Sequence, residues 1–141
     1  MKATTLFATL LMLYLVLSSC TPEHPEPIAY GVDQCVYCRM SIADRQYGAE
    51  LVTDKGRVLK YDAAECMINQ LADDPVAYRQ LYAVAYDRPG KLLPVDSLMF
   101  VIDPQFRSPM GANLAAFSRN QGTPHGMPGL SWVEVIKKVK Q

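Results

Sequence analysis

The chain lacks an excess of charge of either sign: 14 Lys and Arg stand against 14 Asp and Glu. That excludes the basic surface needed to neutralise nucleic-acid phosphates, so no nucleic-acid partner is expected. The short cluster Lys137, Lys138 and Lys140 is terminal and suits the dipole at the end of a helix. An apolar run of about 20 residues, the length that crosses a bilayer, is lacking too. The run from Leu6 to Leu17 is interrupted by Thr9 and is too short. There is no second Cys-x-x-Cys, so the usual four-cysteine zinc pattern is excluded. Arg39, not histidine, follows the second cysteine of the one such pair, which excludes haem attachment. No Ser-His-acid set or paired carboxylates stand out, and catalysis is not expected.

What is present begins at the amino terminus. Lys2 precedes the apolar run, which ends in Leu17-Ser18-Ser19-Cys20. The run has the length of a secretory leader, and the block ending it resembles a bacterial lipobox. Residues 1–19 are therefore expected to be a lipoprotein signal peptide, with Cys20 the lipidation site. Residues 20–32 are expected to form a Pro-rich tether and residues 33–141 a single folded domain. Thr21, where an aspartate would act as a retention signal, resembles sorting to the outer membrane with the domain facing the periplasm. Several acyl chains hold a protein that one barely would. Once Cys20 is assigned to lipid, Cys35, Cys38 and Cys66 remain, an odd number unsuited to a disulfide framework in an oxidising compartment.

Periodicity and turn residues predict an α+β domain of small antiparallel sheets and short helices. Tyr47–Thr53 and Arg57–Tyr61 read as a hairpin across Asp54-Lys55-Gly56. Asp62 and Glu65 have capping-box spacing, and Ala64, Met67, Ile68 and Leu71 then share a helical face. Val76–Gln80 is ambiguous. Leu81–Tyr86 is expected to be a strand, and Leu92–Val95 an edge strand because Pro94 cannot donate. The very apolar Ser97–Ile102 is expected to be a central strand. Gly111-Ala112-Asn113 is expected to open a helix through Phe117, and residues 119–130 a long loop. Ser131 and Glu134 repeat the capping-box spacing ahead of a stripe of Trp132, Val135, Ile136 and Val139.

The chemistry-bearing residues cluster at Cys35-Val36-Tyr37-Cys38-Arg39-Met40. Such a pair serves structural zinc, thiol-disulfide exchange, haem attachment or a soft metal. An exchange pair usually opens a helix after a strand, whereas this one precedes the first clear strand. Met40 favours the soft metal: thiolate and thioether donors suit monovalent copper, while magnesium and manganese want oxygen. If the segment is extended, Cys38 and Met40 point the same way. Met110, framed by Pro109 and Gly111, is a second candidate donor. His125 in the long loop is a nitrogen candidate, Asp33 and His125 a supporting pair, and His24 a tether residue. Cys66 is read as a core thiol on its helix.

Three blocks in order resemble the NosL family, accessory lipoproteins of nitrous oxide reductase. They are Asp33-Gln34-Cys35-Val36-Tyr37-Cys38-Arg39-Met40, then Tyr61-Asp62-Ala63-Ala64-Glu65-Cys66-Met67. The third is Ser108-Pro109-Met110-Gly111-Ala112-Asn113-Leu114-Ala115-Ala116-Phe117. The resemblance implies a fold similar to NosL and to the organomercurial lyase MerB, with two related halves. It implies Cu(I) held by Cys38, Met40 and Met110, with Cys35 a transfer ligand or a disulfide partner of Cys38. It also implies delivery to an exported copper enzyme such as nitrous oxide reductase, and an upstream copper donor. Arg39 stands where family members usually have glycine. A membrane-tethered thiol-disulfide oxidoreductase using Cys35 and Cys38 is the alternative function, and a copper-free lipoprotein with structural sulfurs the third.

Overall fold

Six strands and two helices follow in the order β-β-α-β-β-β-β-α along residues 24–140, the part of the chain described by the structure, a computed structural model. The expected signal peptide and Cys20 lie outside the described residues. β1 (Ala49–Thr53) and β2 (Val58–Tyr61) form the hairpin the turn residues predicted. β1 also pairs antiparallel with β3 (Tyr78–Val84), and β3 with the short β4 (Leu92–Pro94). The sheet order is β2-β1-β3-β4. Strand β3 starts at Tyr78, which resolves the ambiguous stretch. Pro94 lies on an edge strand, where a missing N–H costs no ladder bond.

All five residues of β1 are buried, because both faces of the central strand are covered. Helix α1 (Ala64–Asp73) packs on the sheet and buries Ala64, Cys66, Met67 and Ile68. The chain ahead of the hairpin covers the other face. Ile28 is buried, and a Cβ at Gly48 would sit 2.6 Å from its Cδ1, so a larger residue there would make the Ile28 side chain shift. The Glu26 N–H donates to Glu50 Oε2 (3.0 Å) from above the same face. Packing thus begins within the segment expected to be tether, several residues ahead of Asp33.

β5 (Leu98–Ile102) and β6 (Leu114–Ser118) form a separate two-stranded sheet. Two expectations fail here. The apolar strand is not central: among the described residues β5 pairs with β6 alone, apart from a bridge between Phe100 and Leu130. Its burial comes from what packs on its faces, including Trp132 with its ring 5.3 Å from that of Phe100. The helix expected through Phe117 is strand β6, all of whose residues are buried. Gly111 and Asn113 both adopt positive φ and end the preceding turn. Leu-Ala-Ala-Phe then has a partner strand to satisfy its backbone, and tertiary pairing overrides alanine's helical preference. The second of the two related halves therefore lacks the helix expected to run through Phe117.

An aromatic cluster joins the two sheets. The Tyr86 ring lies 5.6 Å from Tyr47, 5.0 Å from Phe106 and 5.7 Å from Phe117. The Tyr86 N–H donates to the Ala116 carbonyl, tying the end of β3 to β6 (2.7 Å). Helix α2 (Trp132–Val139) closes the chain with the predicted capping box: the Ser131 hydroxyl accepts from the Glu134 N–H, and the Glu134 carboxylate accepts from the Ser131 N–H. The predicted cap on α1 does not form. Ala63 is its N-cap residue and has no side chain to offer, while Asp62 and Glu65 are buried and engaged elsewhere.

Candidate metal centre

Residues 34–41 form a tight loop rather than an extended segment. Gln34 and Ser41 bridge across its base. The Cys35 N–H donates to the Met40 carbonyl (2.9 Å) and the Arg39 N–H to the Cys35 carbonyl (3.0 Å). The Val36 N–H donates to the Lys60 carbonyl (3.0 Å), which fastens the loop to β2. Arg39 turns the loop with φ of 65°, in the region that favours glycine. The alternation assumed for Cys38 and Met40 is broken there. Cys38 is half-buried against the core and Met40 is 56% exposed.

The inward side of the loop meets the first turn of α1. The Sγ atoms of Cys35, Cys38 and Cys66 all lie within 4.8 Å of one another, and all three are free thiols. Cys35 and Cys66 are 0% exposed, so Cys38 is the member nearest solvent. Cys66 does line the core, as its helical position suggested, but its sulfur is also the third corner of this group. The odd cysteine count left one thiol to be explained, but the sequence did not show that Cys66 joins the pair.

Charge in the group is uneven. The Cys35 thiol is pushed down to about 5 by the Cys66 S–H, which donates to it, and by N–H groups of Asp62, Cys38 and Tyr37, against the cost of burial. Cys66 is driven the other way by donating in that bond and by burial. Cys38 is also raised, chiefly by burial, although the Met40 N–H points at its sulfur. The surrounding dipoles thus favour an anion on Cys35 over one on Cys38 or Cys66. Below it, burial and the Cys35 charge push the Asp62 carboxyl up to about 6.

The second candidate loop docks on the same helix turn through Glu65, read from the sequence only as a capping residue. The buried Glu65 carboxylate accepts from the Met110 N–H (3.3 Å) and faces the Ser108 hydroxyl and the Ala112 N–H. Burial raises its pKa. Glu65 and Cys66 are consecutive, so one turn of α1 gathers both sulfur-bearing loops. The Met110 side chain is 41% exposed.

The remaining candidates stand apart from the thiols. His125 is exposed, with φ of 51°, on the loop after β6 and does not join the group of converging ligand atoms. The Asp33 carboxylate is occupied by the Ala29 N–H (2.8 Å) and the Lys60 ammonium (2.9 Å). His24 is exposed. Three thiols with no oxygen or nitrogen among them suit a soft ion and disfavour magnesium or calcium.

Comparison with curated proteins gives no match. Among solved structures, the crystal structure of the copper chaperone NosL from Shewanella denitrificans superposes with a TM-score of 0.68. The match is 17% identical and spans 80% of this chain and 96% of that one. At that identity the likeness is one of fold: a small α+β domain with antiparallel sheets and short helices. The sequence profile of the NosL family matches residues 29–123, more than half of the chain, and takes in the loop that carries the cysteine pair, α1 and the Met110 loop. The chain is a member of the NosL family.

Proposed function

We propose that the protein carries monovalent copper and delivers it to an exported copper enzyme, nitrous oxide reductase being the first candidate. The observation that carries this reading is the convergence of Cys35, Cys38 and Cys66 within 4.8 Å. Cys38 is the central ligand, because it is the one thiol of the three near solvent. Met40 and Met110 are the thioether donors at the surface, Cys35 a further thiolate, and His125 a peripheral nitrogen donor during transfer. An ion that must be passed on suits such a low-coordinate sulfur set, which binds tightly yet exchanges ligands. Copper is cargo here, supplied by an upstream donor.

An oxidoreductase reading fits less well. Thiol-disulfide exchange needs a reachable thiolate, but the sulfur whose anion is favoured, Cys35, is 0% exposed. Burial raises the thiol of Cys38, the half-buried end of the pair nearer solvent. In the carrier reading, residues 1–19 are a signal peptide and lipid on Cys20 holds the domain at the outer membrane, on the periplasmic side. Among the described residues no helix is long and apolar enough to cross a membrane, which accords with an anchor.

Anaerobic titration of the reduced protein with Cu(I), followed by native mass, tests the proposal. One bound copper is expected, with stoichiometric binding lost in Cys38→Ser. Full affinity in that variant would contradict it.

A further inference from the structure

The three thiols and the two thioethers differ sharply in access to solvent, and Cys38 lies between them. We propose that Cys35, Cys38 and Cys66 form a buried three-thiolate holding site, and that Cys38 is the pivot through which the ion moves outward to Met40 and Met110. The proposal rests on the copper-carrier reading for its cargo, while the holding site itself stands on the cysteine geometry.

Three observations support the inner site. First, metal–sulfur bonds of about 2.3 Å put the corners of a planar three-sulfur site about 4 Å apart. The three Sγ atoms, all within 4.8 Å of one another, need only a small inward adjustment. Second, the loop is already built to receive an ion on sulfur. The Tyr37 and Cys38 N–H groups point at Cys35 Sγ, the Asp62 N–H points at the same atom, and the Met40 N–H points at Cys38 Sγ. These amides oppose the charge that thiolates bring to a buried site. Their arrangement depends on the left-handed turn at Arg39, which closes the loop. Third, the corners come from two segments held independently: the loop by β2 through Val36, and Cys66 by the first turn of α1.

Burial supports the outward step. Cys35 and Cys66 are 0% exposed, Cys38 is half-buried, and Met40 is 56% and Met110 41% exposed. An ion on all three thiolates is shielded from solvent and from a partner. To leave, it keeps its bond to Cys38, breaks its bonds to Cys35 and Cys66, and forms bonds to the thioethers of Met40 and Met110. The ion stays monovalent throughout. The two released thiolates recover protons from water, and no electron moves. Neutral thioethers bind more weakly than thiolates, so the outer arrangement is the one a client ligand can displace.

Two probes separate this from the carrier reading. Cd(II) added to the reduced full-length protein produces an ultraviolet sulfur-to-metal band whose intensity counts coordinating thiolates. The wild type is expected to show a three-thiolate intensity, and Cys66→Ser the intensity of one thiolate fewer. A two-thiolate intensity in the wild type overturns the holding site, whether or not Cys66→Ser folds. With Cu(I), Cys66→Ser is expected to weaken binding more than Met40→Leu/Met110→Leu, by about tenfold or more. The double methionine variant is expected to pass copper to a competing chelator about tenfold more slowly. If Cys66→Ser keeps wild-type affinity while the methionine variant loses copper, the inner site is wrong and the carrier reading stands. If the wild type binds Cd(II) through three thiolates but takes up no Cu(I), the site stands and the carrier reading, with its outward step, fails.

Discussion

Arg39 shows how one backbone angle serves the site. Its φ of 65° closes the loop that presents Cys35 and Cys38, in a region that costs an L-residue about 1–2 kcal/mol. Arg39→Gly is expected to keep or raise the melting temperature, whereas Arg39→Val, β-branched at positive φ, is expected to lower it by several degrees. Calorimetry of the two variants checks this. Glu50 makes a different prediction. It is 0% exposed on the central strand, and burial pushes its carboxyl up to about 7 from the usual 4.5. The folded state therefore holds that proton more tightly than the unfolded chain. Its stabilising contribution is full below the unfolded value and is lost as pH rises through about 7. Asp62, raised to about 6, works in the same direction. Cys35, held low in the folded state, works the opposite way over the same range. The Glu50 contribution is therefore read as a difference: the wild-type melting temperature is expected to fall relative to that of Glu50→Gln between pH 5 and pH 8. An equal slope in the variant would contradict the assignment. Glu65 faces donors from Ser108, Met110 and Ala112. Glu65→Leu removes the acceptor and leaves those buried donors without it, and is expected to cost about 1–3 kcal/mol in denaturant unfolding.

Elements were legible from the sequence where local chemistry decided them. The β1–β2 hairpin has its turn residues in place, and α2 has its capping box and apolar stripe. Ser131→Ala is expected to cost about 1 kcal/mol, measurable as a lower denaturant midpoint with an unchanged slope. Where distant partners decided, the reading failed. β6 has the alanines of a helix and becomes a strand because β5 lies beside it. The cap on α1 failed for a related reason: Glu65 has the right spacing, but its carboxylate is taken by a loop 45 residues away. The same division holds at the site. The local pair Cys35 and Cys38 and the framed Met110 could be picked out by residue type and spacing. Cys66 could not, since its pairing with the loop is a tertiary fact.

At the scale of the molecule, two loops far apart in the chain meet one turn of one helix, and the sheets serve to hold that meeting in place. β2 anchors the first loop through the Lys60 carbonyl, and the β5–β6 pair supports the second through β6. A ligand that binds only the folded form raises its apparent stability. One equivalent of Cu(I) under reducing conditions is therefore expected to raise the melting temperature of the wild type but not of Cys38→Ser. The most direct test of the central claim is X-ray absorption at the copper edge of the protein loaded with a single Cu(I). A first shell made of sulfur alone, at low coordination number, is expected. A shell dominated by nitrogen or oxygen would contradict it.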